Sequence, residues 1–157
     1  TDKGAAAIGS NSTWSKIKIV DLSKNGLKCE AALQLGLNET WTELEELRLT
    51  GNLIGDKGAI GLAKNDSWRN LKKLALKKNK IGCEGAQAIA NNMAWSNLKR
   101  IQLDENLINY KGAFMLAKSS AWKEVYIEIK LGEKVSEERI GALIDNGSNP
   151  GSFEEEQ

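Results

Sequence analysis

Side chains that commonly perform chemistry are sparse in this chain of 157 residues, and one class is missing altogether. There is no histidine. Its absence removes the commonest general base, the Ser–His and Cys–His nucleophile pairs and most zinc sites. Carboxylates and lysines are plentiful, but nothing groups them for acid–base work. The chain is therefore expected to be no enzyme, with no catalytic residue, no metal site and no cofactor. Three other features invite a chemical reading: two thiols, Cys29 and Cys83; four Asn-x-Ser/Thr tripeptides, at Asn11, Asn38, Asn65 and Asn146; and glycine-bounded turns such as Gly55-Asp56-Lys57-Gly58. The formal net charge of +1 gives no global pull toward nucleic acid or an anionic membrane. No apolar run approaches the roughly 18–20 residues that would span a bilayer.

What positions these residues is a repeat. All five tryptophans, Trp14, Trp41, Trp68, Trp95 and Trp122, recur at intervals of 27. Other columns keep the same step. Ile17, Leu44, Leu71, Leu98 and Val125 form one; Val20, Leu47, Leu74 and Ile101 the next; then Leu22, Leu49, Leu76 and Leu103. Asn25, Asn52, Asn79 and Asn106 follow, and then Leu27, Ile54, Ile81, Ile108 and Val135. Alternation through Glu46-Leu47-Arg48-Leu49-Thr50 predicts a strand with one buried face. Ala59, Leu62 and Ala63 make one stripe of a short helix over 56–64. Identical strand–helix units place their strands parallel and share one core by stacking. The Asn25 column is expected to form a ladder of amides on the turn backbone.

Each unit reads L-x-x-L-x-L-x-x-N-x-I, and over residues 2 to 144 the chain resembles the leucine-rich-repeat family, in its ribonuclease-inhibitor-like class. Its period of 27 is slightly shorter than is common in that class. The resemblance implies an α/β solenoid, a horseshoe with parallel strands on the concave side and helices on the convex side. The domain reading is one repeat domain, 1–144, with a partial repeat 1–13, repeats 14–40, 41–67, 68–94 and 95–121, and a degenerate cap 122–144. In the last unit Val125, Ile127, Ile129 and Leu131 alternate one residue out of step, and Glu133 replaces the ladder Asn. Residues 145–157 have too little apolar content to pack and are expected to form a disordered acidic tail. Asp2-Lys3-Gly4-Ala5 matches Asp56-Lys57-Gly58-Ala59, so the sequence opens inside a repeat. Two readings stand: a fragment of a longer solenoid, or a half-repeat acting as a natural cap.

The repeat recasts the chemical candidates. Tryptophans at one fixed position are expected to pack along one edge rather than bind rings. The cysteines lie two units apart, roughly 10 Å or more across an intervening turn, too far for a bridge. Two free thiols favour a reducing compartment. The loop before each strand has its own use for the sequon residue types. Gly55, Gly82 and Asn109 are expected at positive φ, and Gly4, Gly58, Gly85 and Gly112 where helix approaches sheet.

By register the concave face is expected to present Ile19, Asp21, Ser23, Glu46, Arg48, Thr50, Lys73, Lys77, Lys78, Arg100, Gln102, Asp104 and Glu105. Repeat three carries six basic residues and one acidic, while 122–157 carries four basic and nine acidic. Lys73, Lys77, Lys78 and Arg100 therefore form a candidate basic patch. The family resemblance implies a protein-interaction module, as in ribonuclease inhibitor, NOD-like receptor sensor regions, Ran GTPase-activating proteins and some bacterial effectors. The chain is read as part of a larger sensor, effector or scaffold, monomeric, with a protein partner and no membrane insertion. The alternatives are a nucleic-acid surface on the basic patch, or a substrate-recognition arm for a catalytic domain elsewhere. An intracellular, cytoplasmic location is expected, with a translocated or secreted effector as the other option.

Overall fold

The computed structural model describes residues 1–120 and 125–129. Strand and helix alternate along the chain: α1 (Asp2–Gly9), β1 (Ile19–Asp21), α2 (Cys29–Gly36), β2 (Glu46–Arg48), α3 (Gly55–Ala63), β3 (Lys73–Ala75), α4 (Cys83–Ala90), β4 (Arg100–Gln102), α5 (Tyr110–Ala117) and β5 (Tyr126–Glu128). The strands form one open parallel sheet in the order β1-β2-β3-β4-β5. Val20 pairs with Leu47, Leu47 with Leu74 and Leu74 with Ile101, each one full period on. The final pairing, Ile101 with Ile127, is one residue shorter. The displaced alternation of the last strand thus enters the sheet without breaking it. The degenerate cap and acidic tail otherwise lie outside the described residues.

Burial follows the columns. Leu44, Leu71 and Leu98, then Leu47, Leu74 and Ile101, then Leu49, Leu76 and Leu103, are all buried. Across the core, Leu35, Leu62, Ile89 and Leu116 come from successive helices. Trp41, Trp68 and Trp95 are fully buried and stack in sequence, centroids 6.3 Å apart. Trp14 departs from this packing: it stands at the start of the stack and remains 47% exposed.

Small residues let the helices close up. A Cβ on Gly85 would meet Asp56 Oδ1 at 2.7 Å and Ala59 Cβ at 3.0 Å; one on Gly112 would meet Cys83 Sγ at 3.2 Å. The close approach at these glycines is helix to preceding helix, not helix to sheet, and Gly4 has only Thr1 Oγ1 at 3.6 Å. Positive φ also falls elsewhere than expected. Gly55 has φ +61°, but Gly82 and Asn109 are extended, with φ −100° and −93°. The left-handed column is Lys24, Gly51, Lys78 and Glu105, at φ 58°, 72°, 57° and 54°. These residues turn the chain out of each strand, and only Gly51 signals the conformation by its type.

Two asparagine ladders tie the units together. In the expected one, Asn52 Nδ2 donates to Leu22 O (3.0 Å) and Leu49 O (2.8 Å), and Asn79 and Asn106 repeat the pattern. The second uses the Asn three residues before each buried Trp. Asn65 Nδ2 donates to Gly36 O (2.9 Å) and Asn38 O (2.8 Å), while its Oδ1 accepts from the Ser67 and Trp68 amides. Asn38 and Asn92 do the same.

Candidate partner-binding face

β1, β2 and β4 bury their middle residue and turn the outer two away from the core, which is the period-two geometry of a strand. Ile19, Asp21, Glu46, Arg48, Lys73, Arg100 and Gln102 therefore share one face of the sheet. Ser23, Thr50 and Lys77 continue it, half-buried, into the turns. Lys78 and Glu105 stand exposed on the left-handed corners. Ala75, also on an outward position, is buried.

Asp104 requires a correction. It was expected to line the concave surface, but it is only 4% exposed. The entry of β5 places Glu128 beside Gln102, whose Nε2 donates to Glu128 Oε2 at 3.0 Å. The same strand adds two residues to the face, Tyr126 and Glu128. The out-of-step alternation of Val125, Ile127 and Ile129 was the signal that pointed them outward.

The charges on this face are interlocked. Arg48 reaches Asp21 at 3.4 Å and Glu46 at 2.7 Å, and Glu46 in turn holds Lys73 at 2.7 Å. This chain of ion pairs crosses three strands because residues one period apart stand side by side in a parallel sheet. The hydrogen bond from Arg48 pulls the Glu46 carboxyl down to about 2, with Lys73 adding to it against desolvation. Arg48 is raised above its ordinary value by the same Glu46. Asp21 is lowered, chiefly by the Ser23 backbone N–H. Further along, Lys77 pairs with Glu105 at 3.1 Å, and this raises its pKa. The Arg100 guanidinium lies 5.1 Å from the Tyr126 ring centroid. The four cations of the candidate patch are thus mostly engaged: Lys73 and Lys77 are neutralised by carboxylates, and Arg100 is laid over an aromatic ring.

The other chemical candidates resolve as structure. Cys29 and Cys83 are free thiols, and Cys83 Sγ donates to Asn109 Oδ1 at 2.8 Å. Asp56, between them in the same column, accepts from the Gly82 and Gly85 amides at 2.7 and 2.8 Å. The glycine-bounded turn therefore directs its amides to a neighbouring side chain. Asn38 and Asn65 of the sequons are buried, and their Nδ2 groups are spent on the second ladder; a glycan there would remove those bonds. Among the described residues no group of three or more Cys, Asp or Glu could hold a metal ion. No described helix is long and apolar enough to cross a membrane. On the helix side, an open groove of about 710 Å³ between α3 and α4 is lined in part by Ile60, Lys64, Arg69 and Met93.

Comparison with known proteins agrees with the geometry. A family model described as Leucine Rich repeat matches residues 42–63 and 69–90, two consecutive units. Among curated proteins nothing matches the chain.

Proposed function

Because this chain is a leucine-rich-repeat-type protein, we propose that it is a binding module that holds a protein partner against its sheet face. Repeats of this type generally mediate protein–protein interaction. The observation that carries the reading is the ion-pair chain Asp21–Arg48–Glu46–Lys73. It fixes long side chains of both signs in place before a partner arrives, so little rotamer freedom remains to be lost on binding. A surface already paired in this way suits a mosaic of polar and charged groups on a protein. A nucleic-acid backbone instead calls for free cations and stacking aromatics. Ile19 and Tyr126, exposed at opposite ends of the sheet, add apolar contact area.

The ribonuclease-inhibitor-like class is the finer assignment we favour, on the helix that follows each of β1 to β4. A larger sensor, effector or scaffold in a reducing compartment is the context we propose for the module.

Photo-crosslinking tests the face directly. With the crosslinking residue at position 100, the full chain is expected to give partner adducts in cell extract. The same residue at position 57, on α3, is expected to give none. The pair Lys73→Glu and Arg100→Glu should weaken the captured partner several-fold with helix content unchanged. Adducts from position 57 alone, or capture that the pair leaves untouched, would overturn the face assignment. Salt-sensitive retention of a mixed-sequence RNA or DNA, unaccompanied by a protein adduct, would favour the nucleic-acid reading.

A further inference from the structure

Among the described residues other than glycine, a left-handed backbone occurs at Lys24, Lys78, Lys80 and Glu105, the three lysines at φ 58°, 57° and 58°. The fold does not require a side chain at the lysine positions. Gly51 takes φ 72° in the column of Lys24 and Lys78, and Gly26 takes φ 63° in the column of Lys80. The turn is the same either way: the Lys24 amide donates to Thr50 O, Gly51 to Lys77 O and Lys78 to Asp104 O, each at 2.8 Å. A Cβ in this conformation crowds the following carbonyl, a cost that glycine avoids. Lysine is therefore held here against the preference of the backbone, and such positions collect where side chains meet ligands.

The charges of these lysines are also unanswered. Ion pairs of the described residues engage Lys18, Arg48, Lys72, Lys73 and Lys77. None of them includes Lys24, Lys78 or Lys80, and all three are exposed. The carboxylates of the adjoining turns are committed elsewhere: Glu105 pairs with Lys77, Asp56 accepts from the Gly82 and Gly85 amides, and Asp104 is buried. Leu53 and Leu107 stand one unit to either side of Lys80 in its column, 44% and 69% exposed. Gly51 puts no side chain between Lys24 and Lys78, and the Lys24 stem runs beside it, since a Cβ there would sit 3.2 Å from Lys24 Cγ. The turns that leave the strands thus carry a rim of cations and apolar side chains next to the interlocked charges of the sheet face.

We propose that this rim docks an acidic segment of the protein partner, with carboxylates on Lys24, Lys78 and Lys80 and an apolar side chain on Leu53. Taking the occupant to be protein rests on the binding-module reading above. A protein segment fits better than a nucleic acid because the apolar members of the rim are leucines, which offer a base no ring to stack on. Lys24 and Lys78 stand two units apart, roughly 10 Å at the strands. Carboxylates two turns apart on a helix match that separation.

The test titrates the isotope-labelled full chain with a helical, alanine-based peptide carrying glutamates two turns apart and leucines between them. Amide shifts should concentrate at Leu53, Lys78 and Lys80. Glutamines in place of the glutamates, or added salt, should largely remove them. Lys78→Gly combined with Lys80→Gly should weaken the peptide roughly fivefold or more. The thermal midpoint should stay level or rise, because both glycines relieve a left-handed backbone. Lysines with a merely structural role would give the opposite pair of results. Shifts confined to Lys73 and Arg100, or none at all, would overturn the proposal, and so would tighter binding of a mixed-sequence RNA at the same amides. A partner crosslinked from position 100 but unaffected by the two glycine substitutions would overturn the rim and leave the sheet-face reading standing. Peptide binding at the rim with no adduct from position 100 would support the rim and remove the sheet-face reading.

Discussion

Repeats two and three and the first repeat are built from the same columns, yet they differ in what those columns achieve. Trp68 lies between Trp41 and Trp95 and is sealed from solvent, while Trp14 has the same spacing to its neighbours in sequence and is nearly half exposed. The Asn65 side chain makes four hydrogen bonds across and within units, whereas the Asn11 side chain keeps only those of its own loop. In a solenoid each unit is completed by its neighbour, so a residue's energetic weight depends on which side of it is occupied. The comparison also explains the sheet face. Glu46 is held by Arg48 and Lys73 because charged units flank it, while Ile19, one period earlier, has solvent on its outer side.

Substitutions sharpen the contrast in order of size. Trp68→Ala should cost about 3–5 kcal/mol in denaturant unfolding, since the indole is buried between two others. Trp14→Ala should cost about 1 kcal/mol or less. Equal losses at the two sites would break the comparison. Next comes Asn65→Ala, which strands two carbonyls and two amides in the interior and should cost about 2–4 kcal/mol, against about 1 kcal/mol for Asn11→Ala.

Acid should expose the ion-pair chain. The Glu46 carboxyl is depressed in the folded state, to about 2 from 4.5. Between these values the unfolded chain takes up the proton and the folded one does not, so the stabilisation is complete above the upper value and lost as pH falls toward the lower. Glu46→Gln should flatten that limb of the stability–pH curve, and an unaltered limb would separate the pairing from stability. The smallest effects sit on the left-handed column. Gly51→Ala should cost about 1 kcal/mol, because its φ is +72° and the new Cβ would sit 3.2 Å from Lys24 Cγ. Lys78→Gly should instead gain up to about 1 kcal/mol by relieving a lysine at φ 57°. Thermal shifts of opposite sign at the two sites would check both.

The repeat frame was legible because burial of the Leu and Ile columns is repeated identically, and periodicity reports such positions well. Register followed from it, including the displaced last strand. The left-handed column was not legible, since Lys24, Lys78 and Glu105 give no compositional sign of positive φ. The glycine at position 82 drew attention to a turn that is in fact extended. The second ladder was visible only as sequons, where a motif with a known modification masked a backbone role. On the candidate face, residue types gave the outward set. They did not give the pairing, because Arg48 with Asp21 or Lys73 with Glu46 is a relation between units rather than a property of either. Asp104, set outward by the same alternation, is buried.

Cross-strand trapping measures the arrangement most directly. With Cys29 and Cys83 replaced by serine, the pair Glu46→Cys and Lys73→Cys places two thiols at directly opposed positions of parallel neighbours on one face, within the Cα range a disulfide accepts. Mild oxidation should lock this pair nearly completely. The pair Glu46→Cys and Leu74→Cys should remain reduced, because Leu74 points into the core. Locking of the second pair in preference to the first would contradict the stacking register on which the sheet face and its ion pairs depend.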